Sequence, residues 1–141
     1  MSTPIKILIV DDEKETTDML VRYFKLENYD ATACNTPIEA LNLIKNDNFL
    51  VCILDIQMPE MNGIDLLKKI KQINGMTGVI MMSDHASTEN ILTCLRRGAE
   101  TCFLKPISDL SELKKIVDTL IKRFKTWQKL IQKLTNQSKN S

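Results

Sequence analysis

The sequence predicts a doubly wound α/β fold, in which helices cover both faces of a parallel β-sheet. Two observations carry this prediction. Short apolar segments alternate with amphipathic segments five times along the 141 residues, and the connections between them are short. Parallel neighbouring strands need crossover connections, which are usually helices and are right-handed. A chain that repeats this alternation is therefore expected to lay helices on both faces of one sheet.

The first half of the chain contains two strand signals and two helix signals. The β-branched apolar run Ile5–Val10 predicts the first strand, of the kind that is buried on both faces of a sheet. Glu13–Leu26 has apolar residues at helical spacing, and the weaker strand Asp30–Cys34 follows it. Thr36 precedes a proline and, three residues on, a glutamate. This capping-box pattern predicts a second helix that runs to about Asn46.

The second half continues the alternation. Phe49–Leu54 predicts the third strand, and a helix with apolar residues over Ile64–Ile73 follows it. Val79–Met82 predicts the fourth strand. The helix predicted over Ser87–Arg97 ends in two basic residues and a glycine, as the helix dipole and a left-handed cap favour. Thr101–Leu104 predicts the fifth strand.

The last helix is expected to begin at a cap formed by Ser108 or Asp109 and to run for about 25 residues, or ~38 Å. Its apolar residues alternate at spacings of three and four, which is a heptad seam. The seam consists of Leu110, Leu113, Val117, Leu120, Phe124, Trp127, Ile131 and Leu134. From roughly Lys122 onward the helix would project beyond the domain and expose its apolar stripe.

We expect the exposed stripe to pair in parallel with that of a second copy and form a homodimer. Three alternatives remain open: the stripe packs back on its own domain, enters the groove of another protein, or lies on an anionic surface with its lysines around it. Direct nucleic-acid binding is not expected, because no recognition fold follows the domain.

The formal net charge of +1 conceals two unlike segments. Residues 1–121 contain 13 basic and 18 acidic residues, whereas residues 122–141 contain 6 basic residues and no acidic one. We therefore divide the chain into a domain of residues 1–121, a basic amphipathic helical extension of residues 122–135 and a disordered tail of residues 136–141.

Composition also excludes several classes of protein. The longest apolar run, Phe49–Leu54, has 6 residues, whereas a membrane-spanning helix needs about 20. The N-terminus lacks the pattern of a secretory signal, so we expect a cytoplasmic protein without a membrane span. The four cysteines lie at least 8 residues apart among apolar neighbours. They are therefore interpreted as reduced core thiols.

The residues at the carboxyl ends of the strands are the candidate site, because open α/β sheets bind ligands beyond those ends. The first strand is followed by two acids, and the third, fourth and fifth strands are followed by an acid, a hydroxyl and an ammonium group. These residues are Asp11, Asp12, Asp55, Ser83 and Lys105. We expect their side chains to project from one edge of the sheet.

Three carboxylates at one edge need a compensating cation. Two carboxylates about 4 Å apart repel each other by roughly 4 kcal/mol at an effective dielectric constant of about 20. Oxygen ligands that leave room for water are those that Mg²⁺ prefers, so we expect a magnesium site. Zinc is not expected, because no cysteine or histidine is suitably placed.

The same layout suits phosphoryl transfer, in which positioning and charge neutralisation supply most of the catalysis. Asp55 stands alone after the third strand and is the expected nucleophile. Asp11 and Asp12 form the expected metal pair. Lys105 and Ser83 are expected to contact oxygens of the transferred group.

Four segments of the chain resemble response regulator receiver domains, and the resemblance covers residues 5 to about 121. The segments are Ile7–Glu13, Leu54–Gly63, Ile80–Ser83 and Gly98–Pro106. The resemblance implies a flavodoxin-like five-stranded sheet with strand order 2-1-3-4-5. It also implies a phosphoacceptor in a two-component phosphorelay, a signalling protein rather than an enzyme, whose partner is a histidine kinase or a phosphotransfer protein.

The resemblance also implies a role for each site residue. Asp55 would accept the phosphoryl group. Asp12, Asp55 and the backbone carbonyl of Gln57 would bind Mg²⁺, and Asp11 would act through a metal-bound water. Ser83 would move toward the aspartyl phosphate and Lys105 would pair with it.

The resemblance also implies that further positions tune the reactivity of the site. The Lys105–Pro106 bond is typically cis in the family and would aim the lysine. Gln57 and His85 occupy positions that control the water of slow self-dephosphorylation. Two positions depart from the family: Cys102 replaces an aromatic residue that usually swings inward, and Asp84 replaces a small residue. We expect the Asp84 charge to slow phosphorylation or to change the Mg²⁺ affinity.

Two alternative functions remain open. A phosphorylation-independent dimerisation module is favoured if Cys102 and Asp84 disable switching. A phosphatase with an aspartate nucleophile and Mg²⁺, of the haloacid dehalogenase kind, normally has a second aspartate two residues after the nucleophile, and Gln57 occupies that place.

Overall fold

The computed structural model of the chain describes residues 4–139, in which five strands alternate with five helices. In chain order the elements are β1 Lys6–Val10, α1 Lys14–Leu26, β2 Asp30–Cys34, α2 Pro37–Asn46, β3 Val51–Asp55, α3 Gly63–Ile73, β4 Gly78–Ser83, α4 Thr88–Arg96, β5 Thr101–Leu104 and α5 Leu110–Lys139. All strand pairs are parallel, in the order β2-β1-β3-β4-β5. The predicted doubly wound fold and its strand order are confirmed.

Two hydrophobic cores lie on opposite faces of the sheet, because successive strand residues point to opposite sides. On one face α2, α3 and α4 cover the strand residues Leu8, Val10, Cys52, Leu54, Val79 and Met81. On the other face α1 and α5 cover Ile7, Ile9, Val51, Ile53, Ile80 and Met82. Every residue of β3 and β4 is buried, which explains why these strands read as continuous apolar runs.

Side-chain caps fix the starts of α2 and α5. The Thr36 hydroxyl accepts a hydrogen bond from the Glu39 amide, as the capping-box pattern predicts. Of the two predicted caps of α5, the structure uses Asp109, whose Oδ1 accepts a hydrogen bond from the Ser111 amide at 3.0 Å. Gly98 follows α4 with φ +97°, a left-handed conformation that explains the glycine there.

All four cysteines are free thiols, and Cys34, Cys52 and Cys94 are buried. Cys102 differs from the prediction of a core position: it is half-buried and packs at the margin of one core. In the described part of the chain, no helix is both long enough and apolar enough to cross a membrane.

Helix α5 is longer than the sequence predicts. It contains 30 residues and ends at Lys139, so residues 136–139 are helical and the predicted disordered tail is wrong there. Residues 140 and 141 of that tail lie outside the described residues. Once the first half of α5 is held against the sheet, each further residue adds a hydrogen bond without a new nucleation cost. Polar residues therefore continue the helix although they bury little surface.

Candidate functional site

The register of the parallel strands brings the candidate residues to one edge of the sheet. Asp55 is the last residue of β3 and lies opposite Met82 in the ladder to β4. Ser83 is the last residue of β4, one residue beyond the predicted strand end. The Lys105 amide donates a hydrogen bond to the Ser83 carbonyl at 2.9 Å, which places the residue after β5 beside the end of β4.

The three acidic residues form one cluster. Asp11, Asp12 and Asp55 each offer a carboxylate oxygen, and these oxygens all lie within 4.8 Å of one another. Asp11 and Asp55 are buried, with exposed fractions of 0% and 2%, whereas Asp12 is exposed. Asp11 Oδ1 accepts a hydrogen bond from the Glu13 amide at 2.9 Å, which fixes the orientation of the buried carboxylate.

Lys105 supplies the positive charge of the cluster. Its Nζ lies 2.5 Å from Asp11 Oδ2 and 3.4 Å from Asp55 Oδ2, and 7% of its side chain is exposed. Glu13 also lies 3.4 Å from this Nζ. Glu13 is not among the predicted site residues. Its position directly after two aspartates at a strand end is the signal that could have suggested one.

The pKa values of the cluster are perturbed by burial and by mutual repulsion. Burial and the Asp11 charge raise the pKa of Asp55 to about 6, while Lys105 acts in the opposite direction. Burial, together with the neighbouring Asp11, also raises the pKa of Asp12. Burial opposes the charge on Lys105, but the carboxylates of Asp11 and Asp55 outweigh it and raise the lysine pKa. The site therefore holds more negative charge than the single ammonium group balances.

Ser83, Gln57 and His85 form a hydrogen-bonded group beside Asp55. The Ser83 hydroxyl donates to Gln57 Oε1 at 3.4 Å and accepts from the His85 amide at 3.2 Å. Gln57 Nε2 donates to the His85 carbonyl at 2.7 Å. The Gln57 side chain thus joins the loop after β3 to the loop after β4, and the hydroxyl of Ser83 lies between them.

A close backbone approach fixes the loop that carries Asp55. The Gly63 amide donates to the Ile56 carbonyl at 2.6 Å. A Cβ on Gly63 would lie 2.0 Å from the backbone oxygen of Asp55, far inside contact distance. Only glycine fits at the start of α3, and the start of this helix is thereby held against the loop.

The remaining predicted positions surround the cluster. The Lys105–Pro106 peptide bond is cis. Exposed Asp84 lines a cleft of about 430 Å³ together with Glu13 and Lys105. Cys102 and Phe103 are both half-buried and pack against opposite cores. The structure therefore places an aromatic ring next to the position where the family usually has one, but on the other face of the sheet.

The donor set fits a hard divalent cation such as Mg²⁺. All three clustered ligand atoms are carboxylate oxygens, and Mg²⁺ prefers such ligands together with several waters. Asp11 Oδ2 is buried and contacts the Lys105 ammonium group at 2.5 Å, which leaves a further lone pair of this oxygen available. A buried oxygen with spare acceptor capacity beside two other carboxylates is the arrangement that a cation would complete.

Comparisons with known proteins agree with this geometry. The family model for the response regulator receiver domain matches residues 7–118. The chain is 39% identical over 112 residues to the regulatory protein AtoC of Escherichia coli, covering 79% of this chain and 24% of that protein. It is 33% identical over 121 residues to the response regulator SaeR of Staphylococcus aureus, covering 86% of this chain and 52% of that protein. The chain thus spans about half the length, or less, of these relatives.

Solved structures show the same fold. A CheY-like receiver domain protein from Methanospirillum hungatei is 31% identical, with a TM-score of 0.82, over 88% of this chain and 99% of that chain. A Francisella response regulator receiver domain is 36% identical, with a TM-score of 0.78, over 86% and 98% of the two chains. Sequence, fold and acidic edge agree, and the chain belongs to the family of response regulator receiver domains.

Proposed function

We propose that this protein is a phosphoacceptor that receives a phosphoryl group on Asp55 from the phosphohistidine of a histidine kinase or phosphotransfer protein, in the cytoplasm. Receiver domains are phosphoacceptor signalling modules of two-component systems rather than enzymes. The observation that carries the proposal is the contact of one ammonium group with two buried carboxylates, Asp11 and Asp55, at the carboxyl edge of the sheet.

The transfer is a substitution at phosphorus. An oxygen of the ionised Asp55 carboxylate forms a P–O bond, and the P–N bond to the donor imidazole breaks with its electron pair going to the nitrogen. Asp55 must be ionised to attack. Its pKa of about 6 leaves most of the population ionised at pH 7 and makes the carboxylate more basic than an ordinary aspartate.

Mg²⁺ would be held by Asp12 and Asp55, with the Gln57 carbonyl and Asp11 completing the site through backbone and water contacts. When bound, the metal supplies positive charge against the phosphoryl oxygens. The protein's own contribution is to hold Lys105 where its ammonium group can pair with the new aspartyl phosphate, because the same group already contacts Asp55 at 3.4 Å.

We expect the Ser83 hydroxyl to move toward the phosphoryl group. In the structure it donates to Gln57 Oε1 at a long distance of 3.4 Å, so a phosphoryl oxygen is a better acceptor for it. We assign Gln57 and His85 to tuning the water of self-dephosphorylation. Asp84 and Cys102 are assigned to tuning phosphorylation and the conformational response.

Incubation with Mg²⁺ and acetyl phosphate, followed by intact-mass measurement, tests the proposal. We expect one phosphate adduct on the wild-type chain and none on Asp55→Asn. Asp65→Asn is the matched control, because it removes a carboxylate that is exposed and pairs with Arg97. Adduct formation on Asp55→Asn, or none on wild type, would contradict the assignment of Asp55.

The same experiment separates the alternatives. Steady release of phosphate from phosphate esters would support the phosphatase, for which the second aspartate is missing at Gln57. A chain that takes no phosphate and still forms dimers would support the phosphorylation-independent dimerisation module.

A further inference from the structure

The Gln57 side chain closes a ring of three hydrogen bonds beside Asp55. The His85 carbonyl can only accept, so Gln57 turns its Nε2 toward it, at a distance of 2.7 Å. The Oε1 atom of the same amide then accepts the hydroxyl proton of Ser83 at 3.4 Å. The Ser83 oxygen in turn accepts from the His85 amide at 3.2 Å. Each member of the ring therefore fixes the orientation of the other two.

This ring holds both backbone polar groups of His85, in the middle of the connection from β4 to α4. Ser83 is the last residue of β4. The Ser87 side chain caps α4 by accepting from the Asn90 amide at 3.0 Å, so that residues 84–86 alone lie between the two serines. A connection this short passes a displacement of Ser83 on to the start of α4.

The end of this connection lines an apolar cleft between α4 and β5, which we call the α4–β5 cleft. The cleft has a volume of about 310 Å³, and its lining includes Ala86, Thr88, Leu92, Cys102 and Leu104. Leu92 and Leu104 have exposed fractions of 44% and 64%. The position of the connection therefore sets the shape of an exposed apolar surface.

The small side chain of Cys102 is poorly suited to carry a movement of Ser83 to this cleft. Cys102 lies opposite Met81 in the strand ladder, and its side chain packs against the core on one face of the sheet. The neighbouring ring of Phe103 packs against the core on the other face. The backbone between β4 and α4, held by Gln57, is the route that the structure offers instead.

We propose that Gln57 is a positioning residue that couples Ser83 to the α4–β5 cleft. Its side chain holds residues 84–86 in the conformation of the structure and releases them when Ser83 turns toward a phosphoryl oxygen on Asp55. The release rests on the proposed phosphoacceptor function. A hydroxyl has one proton to donate, and a phosphoryl oxygen is a stronger acceptor than an amide oxygen. When Ser83 turns away, the ring loses two of its three hydrogen bonds.

This coupling differs from the control of a hydrolytic water, because it also acts on a chain whose Asp55 carries no phosphoryl group. Hydrogen exchange of the whole chain in the absence of acetyl phosphate therefore tests it. Gln57→Met keeps the length of the side chain and removes both of its hydrogen bonds. We expect the amides of residues 84–86 to exchange about fivefold faster than in wild type, as followed by amide-resolved NMR.

Gln72→Met is the matched control, because it makes the same substitution at an exposed position of α3. It should leave the exchange of residues 84–86 unchanged. Equal exchange in Gln57→Met and wild type would overturn the proposal. An acceleration that is equally large in β1 and β2 would reflect a loss of overall stability and would overturn it as well.

A double-mutant cycle with Ser83→Ala separates coupling from a merely structural role. Ser83→Ala already opens the ring, so Gln57→Met should accelerate exchange of residues 84–86 much less in that background than in wild type. Independent effects of the two substitutions, which multiply in the double variant, would show that the residues do not act through one ring.

Methyl NMR signals of Leu92 and Leu104 report on the α4–β5 cleft itself. After incubation with Mg²⁺ and acetyl phosphate, the signals of wild type should shift, and Gln57→Met without phosphate should shift them in the same direction. Signals that stay at their wild-type positions in Gln57→Met would overturn the coupling to the cleft. Intact mass of the same samples shows whether the adduct forms. A wild-type chain without adduct would contradict the proposed function, while the exchange experiment would still decide whether Gln57 holds the connection.

Discussion

Lys105 and Asp11 are in direct contact at the centre of the acidic cluster, with Nζ 2.5 Å from Oδ2 and an exposed fraction of 7% for the lysine side chain and 0% for the aspartate side chain. The same ammonium group lies 3.4 Å from Asp55. One buried cation thus contacts two buried anions before any metal binds, and one negative charge is left uncompensated. The stability of the metal-free protein and its readiness to accept a phosphoryl group are consequently linked through one side chain.

Lys105→Met is expected to destabilise the metal-free protein. Removing one member of a buried ion pair leaves uncompensated charge, which typically costs on the order of 3 kcal/mol. The loss of unfolding free energy should be larger at pH 8 than at pH 5, because protonation at the lower pH neutralises the remaining carboxylates. Urea unfolding at the two pH values measures it. Lys6→Met, which breaks the exposed pair with Asp47, is the matched control and should change little. Equal losses for the two variants would contradict the prediction.

Asp55→Asn is expected to stabilise the metal-free protein at pH 8. Because the folded-state pKa of Asp55 is raised from 3.8 to about 6, the folded state binds this proton more tightly than the unfolded state does. The contribution of this group to the free energy of unfolding therefore falls as the pH rises from about 4 through 6, by on the order of 3 kcal/mol. The asparagine side chain does not titrate, so the variant does not lose this stability. The difference in unfolding free energy between the variant and wild type should therefore shrink toward pH 4. Thermal unfolding across this range is the measurement, and a gap independent of pH would refute the explanation.

Mg²⁺ is expected to raise the melting temperature of the wild-type chain. A concentration about ten times the dissociation constant contributes roughly 1.4 kcal/mol, or about 5 °C for a domain of this size. Asp12→Asn should abolish most of the shift, because Asp12 is the exposed member of the cluster and its loss leaves the buried contacts intact. KCl at equal ionic strength and the Asp65→Asn variant are the controls. An equal rise of the melting temperature with Mg²⁺ in Asp12→Asn would exclude Asp12 as a ligand.

Much of the fold and of the candidate site is predictable from the sequence because the signals are local. Asp11 and Asp55 each follow an apolar strand, and parallel strands bring their carboxyl ends together whatever the intervening sequence. The contact of Glu13 with Lys105 is different: it joins residues 92 positions apart and depends on how α1 approaches the loop after β5. The sequence places Glu13 near the end of the strand but does not specify its contact with Lys105.

The direction in which the α5 seam faces is likewise a tertiary property. The spacing of Leu120, Phe124 and Trp127 predicts an apolar stripe and also predicts that it needs a partner. How much of the stripe is left exposed to a partner depends on where the sheet lies relative to it. Only the packing of Leu120 against Gly78 shows this.

Asp84→Ala is expected to accelerate phosphorylation by acetyl phosphate at low salt. Asp84 is exposed and shares a cleft with Lys105, so its charge repels an approaching anionic donor. At roughly 10 Å in water one unit charge changes such a rate by about twofold. The gain should disappear at about 1 M salt, where the Debye length is about 3 Å. The rate is measured by quenching samples at timed intervals and determining the fraction of phosphate adduct by intact mass. Unchanged kinetics at low salt would show that this charge does not affect donor approach.

Gly63→Ala is expected to destabilise the protein by about 3 kcal/mol or more. Its new Cβ would lie 2.0 Å from the backbone oxygen of Asp55 and 2.8 Å from Ile56 Cα. Neither neighbour is the flexible end of a side chain, so α3 or the Asp55 loop must move.

Gly75→Ala provides the matched control, because its nearest neighbour, the Lys71 carbonyl oxygen, would be at an ordinary 3.7 Å. Urea unfolding compares the two variants, and adduct formation with acetyl phosphate reports on the loop. If the strain is placed on the loop, Gly63→Ala should take up phosphate more slowly than Gly75→Ala under conditions where both are folded. Equal stability of the two variants would mean that α3 can withdraw from Asp55 at no cost.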